Sequence, residues 1–266
     1  MSPTPERVYV LGCPFDAVTF DEAADRIAEA LSSGERLHVC VGNVDMVIKT
    51  GQIPDFRDLF NACGLVICDG VPVTWAAAGL GTPLKGRVSG TDMVWECAAI
   101  SERLGVGVAM IGAHYEITSE AAAIMQARHP GARLRAFPTP YPLTDGANEE
   151  LLTAVREFDA GLVLVALGAP KQERWIRDHL DASGAHVGIG IGSAFDIISG
   201  TLPRAPRWMC DNGLEWLYRM FQDPGRLVKR YLVEDLPFVW RVAYAILRKR
   251  LGFSEKRAQP HDKNSD

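Results

Sequence analysis

The chain has 266 residues, 47% hydrophobic and 23% charged, with 28 Lys and Arg against 33 Asp and Glu. That composition buries a full core in one large domain with an appendage and excludes a disordered chain. No run of about 18 uncharged apolar residues is present to span a bilayer, and residues 1–12 lack the basic start and apolar stretch of a secretory signal.

The elements read from periodicity alternate strand and helix. Strands are predicted at Val8–Leu11, Leu37–Val41, Leu65–Cys68, Val106–Ile111, Arg133–Phe137, Leu162–Leu167 and His186–Ile191. Helices are predicted at about Asp45–Asn61, Val71–Ala78, Asp92–Leu104, Tyr115–Arg128, Asn148–Phe158 and Lys171–Leu180, after a first one announced by Thr19 with Glu22 three residues on, the spacing of a capping box. The fold class is therefore α/β, a Rossmann-like parallel sheet with helices on both faces, over residues 1–200. After Gly200 two helical stretches, Trp208–Phe221 and Arg226–Arg250, form an appendage over 201–252, the second interrupted at Pro237, and 253–266 read as a disordered tail. The six cysteines (Cys13, Cys40, Cys63, Cys68, Cys97, Cys210) show no Cys-x-x-Cys spacing and are expected as reduced thiols of a cytoplasmic protein.

Ligands of open parallel sheets bind outside the carboxyl ends of the strands. Four such ends are rich in glycine or polar residues, at Gly42–Asp45, Asp69–Pro72, Gly168–Glu173 and Gly188–Ser193, and their convergence predicts a cleft. Asp69 follows the apolar run Leu65–Cys68, where desolvation raises a carboxyl toward general-base values, although an ordinary Asp-Gly turn has the same spacing. Pro170 stands near a helix start, so free N–H groups beside Lys171 and Gln172 suit a phosphate or a sugar hydroxyl, with plain helix entry as the alternative. Arg87 precedes a helix that either Ser89 or Thr91 could cap, and could meet an anionic ligand or a carboxylate of the protein. The glycines at 188, 190 and 192 miss the Gly-x-Gly-x-x-Gly spacing, which weakens a dinucleotide reading. No Asp-x-Asp, phosphate-loop lysine motif or cluster with zinc-ligand spacing occurs in the sequence, so a nucleotide-sugar enzyme built this way must meet diphosphate charge with arginines, lysines and helix N-termini.

Charge divides the chain in two. Residues 1–203 carry 15 Lys and Arg against 25 Asp and Glu, whereas 204–266 carry 13 against 8. Basic residues interleaved with Trp and Tyr suit an anionic membrane surface, since cations meet headgroups while the aromatic rings sit at the apolar boundary. Nucleic acid is not an expected partner of a chain acidic overall with no recognisable nucleic-acid module.

Taken with Asn43, Asp69-Gly70, Arg87–Asp92, Gly168–Glu173, Gly192–Asp196 and the stretch Arg204–Met209 to Gly213–Arg219, the chain resembles the WecG/TagA/CpsF family of bacterial glycosyltransferases, glycosyltransferase family 26, from about Leu11 to Leu251. The resemblance implies an inverting, metal-independent enzyme without a cofactor. It would move a sugar from a UDP-sugar to an undecaprenyl-diphosphate-linked saccharide at the inner face of the plasma membrane, in cell-surface polysaccharide synthesis. It gives Asp69 the role of base and Asn43 that of positioning substrate beside it. Arg87, Gly168, Lys171, Gln172 and Gly192 become substrate-binding candidates, with Arg204, Arg207 and Arg219 closing over the diphosphate. One departure is Val41-Gly42-Asn43, where the family commonly has Thr-x-Asn. Two other function classes compete: a membrane adaptor whose tail matters and whose cleft does not, and a dinucleotide-dependent oxidoreductase. An apolar surface left by a displaced tail could also drive homo-oligomer formation.

Overall fold

Six of the apolar runs pair into one parallel sheet in the computed structural model, which describes residues 5–251 apart from 141–142, 213, 223–224 and 226–235. The strands are β3 (Leu37–Gly42), β4 (Leu65–Cys68), β5 (Gly107–Gly112), β6 (Arg133–Phe137), β7 (Ala160–Ala166) and β8 (Val187–Gly190), ordered β4-β3-β8-β7-β5-β6. Successive side chains point to opposite faces, and both faces are covered, so the central strands are apolar almost throughout. Val39, Ile67, Met110 and Leu164 enter one core with α1 (Phe20–Ser33) and α5 (Gly90–Leu104). On the other face, Ile111, Val163 and Val165 pack with α7 (Asp145–Glu157) and α8 (Lys171–Ser183). The side chains of Thr19 and Glu22 each bond the other's backbone N–H at the start of α1, as their spacing predicts.

The first predicted strand lies outside this sheet. β1 (Arg7–Val10) pairs antiparallel with β2 (Cys13–Asp16), an element the periodicity did not show, because Leu11 and Gly12 take φ of 51° and 84° and reverse the chain. Asp16, almost fully buried, accepts from Arg7 Nε at 2.8 Å and from the Val66 N–H at 2.7 Å, which ties the hairpin to β4. The helix predicted over Asp45–Asn61 is two, α2 (Val44–Gln52) and α3 (Pro54–Ala62), broken where Pro54 cannot donate to the preceding turn. Register sets Cys40 beside Val66 on β4, which brings the Cys63 sulfur against that of Cys40. The other four, Cys13, Cys68, Cys97 and Cys210, are buried, and burial pushes the Cys13 and Cys68 thiols up to about 12. His38 stands beside Cys40 and Cys63, with ligand atoms of all three residues within 4.8 Å, a grouping that no sequence spacing announced.

The remaining helices are α4 (Val71–Gly79), α6 (Tyr115–Arg128) and, after β8, the short α9 (Ala194–Ile198) and α10 (Arg207–Asp211), then α11 (Glu215–Gln222) and α12 (Leu236–Arg250). The single stretch predicted at Trp208–Phe221 is thus α10 and α11, while 226–235 and the tail from 252 lie outside the described residues. α12 docks on the α/β body. Phe238 and Val242 enter the core beneath β1, β2, α2 and α4, and Ile246 packs against it. Burying each such side chain is worth about 1.5–3 kcal/mol, enough for two of them to seat a helix. Trp240, Tyr244, Leu247 and Leu251 stay exposed, at the 4-3-4 spacing of one helix stripe.

Candidate active site

Sheet order explains the convergence of the four loops. They follow β4, β3, β8 and β7, four consecutive neighbours, so the carboxyl ends of those strands form one continuous edge. Asp69 is the first residue past β4, and its backbone N–H donates to the Gly42 carbonyl at 2.8 Å. The chain then enters α4 and returns so that the Val88 N–H donates to the Cys68 carbonyl at 2.8 Å, which lays Arg87–Gly90 against Asp69.

The Asp69 carboxylate is held at both oxygens. Arg87 Nε donates to Oδ1 at 2.9 Å and the Gly90 backbone N–H donates to Oδ2 at 2.8 Å. The carboxylate is partly exposed, with 22% of the side chain accessible, so the apolar setting expected from the sequence belongs to β4 and not to the acid itself. Ser89 caps α5 by accepting from the Asp92 N–H, which decides between the two capping candidates. Phe20, Val71, Arg87, Ser89 and Asp92 line a cavity of about 340 Å³ beside this clamp. Another, of about 300 Å³, opens by His38 at the far end of β3 and does not involve Asp69.

The other candidates divide. Asn43 starts α2, its Oδ1 accepting from the Met46 N–H at 3.3 Å, and a Cβ on Gly70 would sit 3.5 Å from it, so the β3 and β4 loops touch. Gln172 is buried, and it does not face open cleft. Its Oε1 accepts from the Gly192 N–H at 3.1 Å and its Nε2 donates to Glu173 Oε1 at 2.7 Å, so it braces the loop after β8. Gly190 gives it room, since a Cβ there would stand 2.8 Å from Gln172 Nε2. Glu173 is fully buried, and its Oε2 has no partner among the described residues. Burial raises its carboxyl above the ordinary value, with the Gln172 bond opposing. Gly168 and Gly192 turn their loops with φ of 73° and 57°, and Lys171 is exposed on the first turn of α8. Arg204 pairs with Asp92, its Nη2 donating to Oδ2 at 2.8 Å and its Nη1 standing 2.8 Å from Oδ1. Arg207 and Arg219 belong to α10 and α11, and their side chains lie outside the described residues.

This arrangement, a fixed carboxylate at the carboxyl edge of a parallel sheet with arginines around it, meets its relatives in sequence. A model of the glycosyl transferase WecG/TagA/CpsF family matches residues 8–252. The chain belongs to this family. It is a glycosyltransferase, as the family description and its similar proteins state. Among those is an N-acetylglucosaminyldiphosphoundecaprenol N-acetyl-beta-D-mannosaminyltransferase of Staphylococcus aureus strain MW2, 26% identical over 242 residues, covering 90% of this chain and 93% of the relative. The protein of the same name from strain NCTC 8325 / PS 47 matches to the same extent.

Within this WecG/TagA/CpsF protein, the departure at Val41 falls at the site. A Cβ placed on Gly90 would lie 3.1 Å from Val41 Cγ1 and 3.3 Å from Asp69 Oδ2, so the missing hydroxyl is missing next to the carboxylate. Sequence reasoning passed over Gly90 and Asp92. Both stand inside the Arg87–Asp92 motif, which carried the signal, but a capping reading accounted for that motif without them.

Proposed function

We propose that the protein transfers a sugar from a UDP-sugar to a polyprenyl-diphosphate-linked saccharide with inversion and without a metal, Asp69 being the base. The clamp on Asp69 by Arg87 and Gly90 carries this reading, because it fixes a charged carboxylate at the edge where sheets of this kind bind ligands. The acceptor's hydroxyl oxygen attacks the anomeric carbon, its proton passes to an Asp69 oxygen, and the bond to UDP breaks on the opposite face, so the configuration inverts. Arg87, shared between Asp69 and the cavity wall, and Arg204, paired with Asp92 of that wall, oppose the charge that develops on the leaving diphosphate. Lys171 at the start of α8 adds a cation at the same edge, and Gln172 and Gly192 hold its loop. The names of the similar proteins, which specify a diphosphoundecaprenol acceptor, support the lipid-linked substrate.

Such an acceptor lies in a membrane. No helix of the described residues is long and apolar enough to cross one. The exposed Trp240, Tyr244 and Leu247 on α12 and Leu251 just past its end, with Arg241, Arg248, Lys249 and Arg250 on the same helix, suit attachment to the anionic inner face of the plasma membrane.

The test is UDP release from a panel of UDP-sugars, with and without a short-chain polyprenyl-diphosphate-linked acceptor, in excess chelator. Acceptor-dependent release with one donor, unchanged by chelator, is the expected result. No release across the panel would move the reading to the membrane adaptor.

A further inference from the structure

Asp92 stands in the first turn of α5, two residues beyond the Gly90 N–H that holds Asp69. Its Oδ2 accepts from Nη2 of Arg204 at 2.8 Å, and its Oδ1 lies 2.8 Å from Nη1 in the same ion pair. One hydrogen bond and a second close charge contact, at the two ends of the guanidinium, restrict its orientation as well as its place. The pair joins residues 112 positions apart, tying the segment that follows α9 to the loop that clamps Asp69. Asp92 also lines the cavity that Arg87 lines.

An acid in the wall of a diphosphate pocket is a liability by charge alone, because it repels the ligand. Arg204 opposes that charge, and its hydrogen bond to Asp92 uses one of its five N–H donors. We propose that Asp92 is a positioning residue: it holds Arg204 beside the cavity wall so that the remaining guanidinium donors meet the diphosphate of the sugar donor. This inference rests on the nucleotide-sugar reading of the same site. A guanidinium already oriented needs little rearrangement when negative charge grows on the departing UDP. The electrostatics agree with the geometry. Burial pushes the Asp92 carboxyl up, but the bonds and charge of Arg204, with Ser89 and Arg87, outweigh it and keep the carboxyl below its ordinary range. Bonding to Asp92 raises Arg204 in turn, and the Arg87 charge is felt by both partners, so the two arginines share one neighbourhood.

UDP affinity measured by calorimetry on the full chain separates positioning from simple repulsion, because the two predict opposite signs. If Asp92 only repels phosphate, Asp92→Asn binds UDP more tightly. If it positions Arg204, Asp92→Asn and Arg204→Ala each weaken UDP by about tenfold, the order of one lost charge-assisted hydrogen bond. The double variant then binds no worse than Arg204→Ala alone, since Asp92 acts through Arg204. Unchanged or tighter binding by Asp92→Asn, or additive losses in the double variant, would overturn the proposal. Arg204→Lys keeps the charge and loses the planar guanidinium that Asp92 orients, so it carries the same test should Asp92→Asn fail to fold; about tenfold weaker binding is expected, and binding equal to wild type overturns it. Wild-type protein that binds no UDP would remove the donor reading and this inference together, whereas normal wild-type binding beside an unaffected variant removes this inference alone.

Discussion

The backbone N–H of Gly90 lies 2.8 Å from Oδ2 of Asp69, so the first residue of α5 holds the acid that follows β4. A main-chain donor cannot swing away as a side chain can. The carboxylate is therefore aligned by the fold itself, with Arg87 donating to the other oxygen.

Asp69→Asn keeps the shape of the side chain and removes its ability to take a proton. Turnover should fall by about 10²–10⁴, the usual worth of a general base. The melting temperature should stay within a few degrees of wild type. Retained UDP release would remove Asp69 as the base.

Gly90→Ala tests the clamp from the other side. Alanine is favoured over glycine in a helix by up to about 1 kcal/mol, so the fold has no local reason to suffer. The new Cβ, however, would sit 3.3 Å from Asp69 Oδ2 and 3.1 Å from Val41 Cγ1, tighter than most such contacts, and something must give. Displacing the carboxylate should cost about tenfold or more in kcat with little change in melting temperature, given how steeply rate depends on alignment. Unchanged kcat would show that Asp69 is not held by this approach.

Glu173→Gln addresses the buried acid behind Gln172. Its folded-state value is raised above the ordinary 4.5, so the native state holds this proton more tightly than the unfolded chain does. The resulting stability is fully present below 4.5 and is lost as pH rises through the folded value. The variant should therefore show a smaller loss of melting temperature between acidic and mildly alkaline buffer. At the alkaline end the gain should be about 1–3 kcal/mol, the cost of an unsatisfied buried polar group. Parallel pH profiles for the two proteins would contradict this assignment.

Trp240→Glu combined with Tyr244→Glu should weaken sedimentation with anionic vesicles at least tenfold and leave the melting curve in place. Both side chains point outward, while Phe238 and Val242 of the same helix hold it to the core. The direction follows from placing charge where apolar surface must enter the headgroup boundary. Vesicle binding equal to wild type would take α12 out of the attachment surface.

Much of the scaffold was legible because its causes are local. Leu65–Cys68 and Arg133–Phe137 are strands over the very residues their apolar patterns mark, and Thr19 with Glu22 caps α1 through atoms three residues apart. The break between α2 and α3 also has a local cause in Pro54, although periodicity alone ran through it. The hairpin of β1 and β2 escaped because a positive φ at Leu11 is imposed by what surrounds the turn and not by the residue itself.

At the site, the sequence determined that Asp69, Asn43 and the glycine-rich loops end their strands, since strand and turn preferences act over a few residues. The tertiary structure decided what those groups do to one another. Strand order β4-β3-β8-β7 made four separate loops into one edge. The return of the chain after α4 put Arg87 and Gly90 on Asp69, so that of the two partners open to Arg87, a ligand anion or a carboxylate of the protein, the structure supplies the carboxylate. Packing drew Gln172 and Glu173 inward, and it set Arg204 against Asp92 across 112 residues. Hydrogen bonds and ion pairs reach only a few ångströms, so residues distant in the chain become partners only when the packing of the sheet and its helices closes that distance.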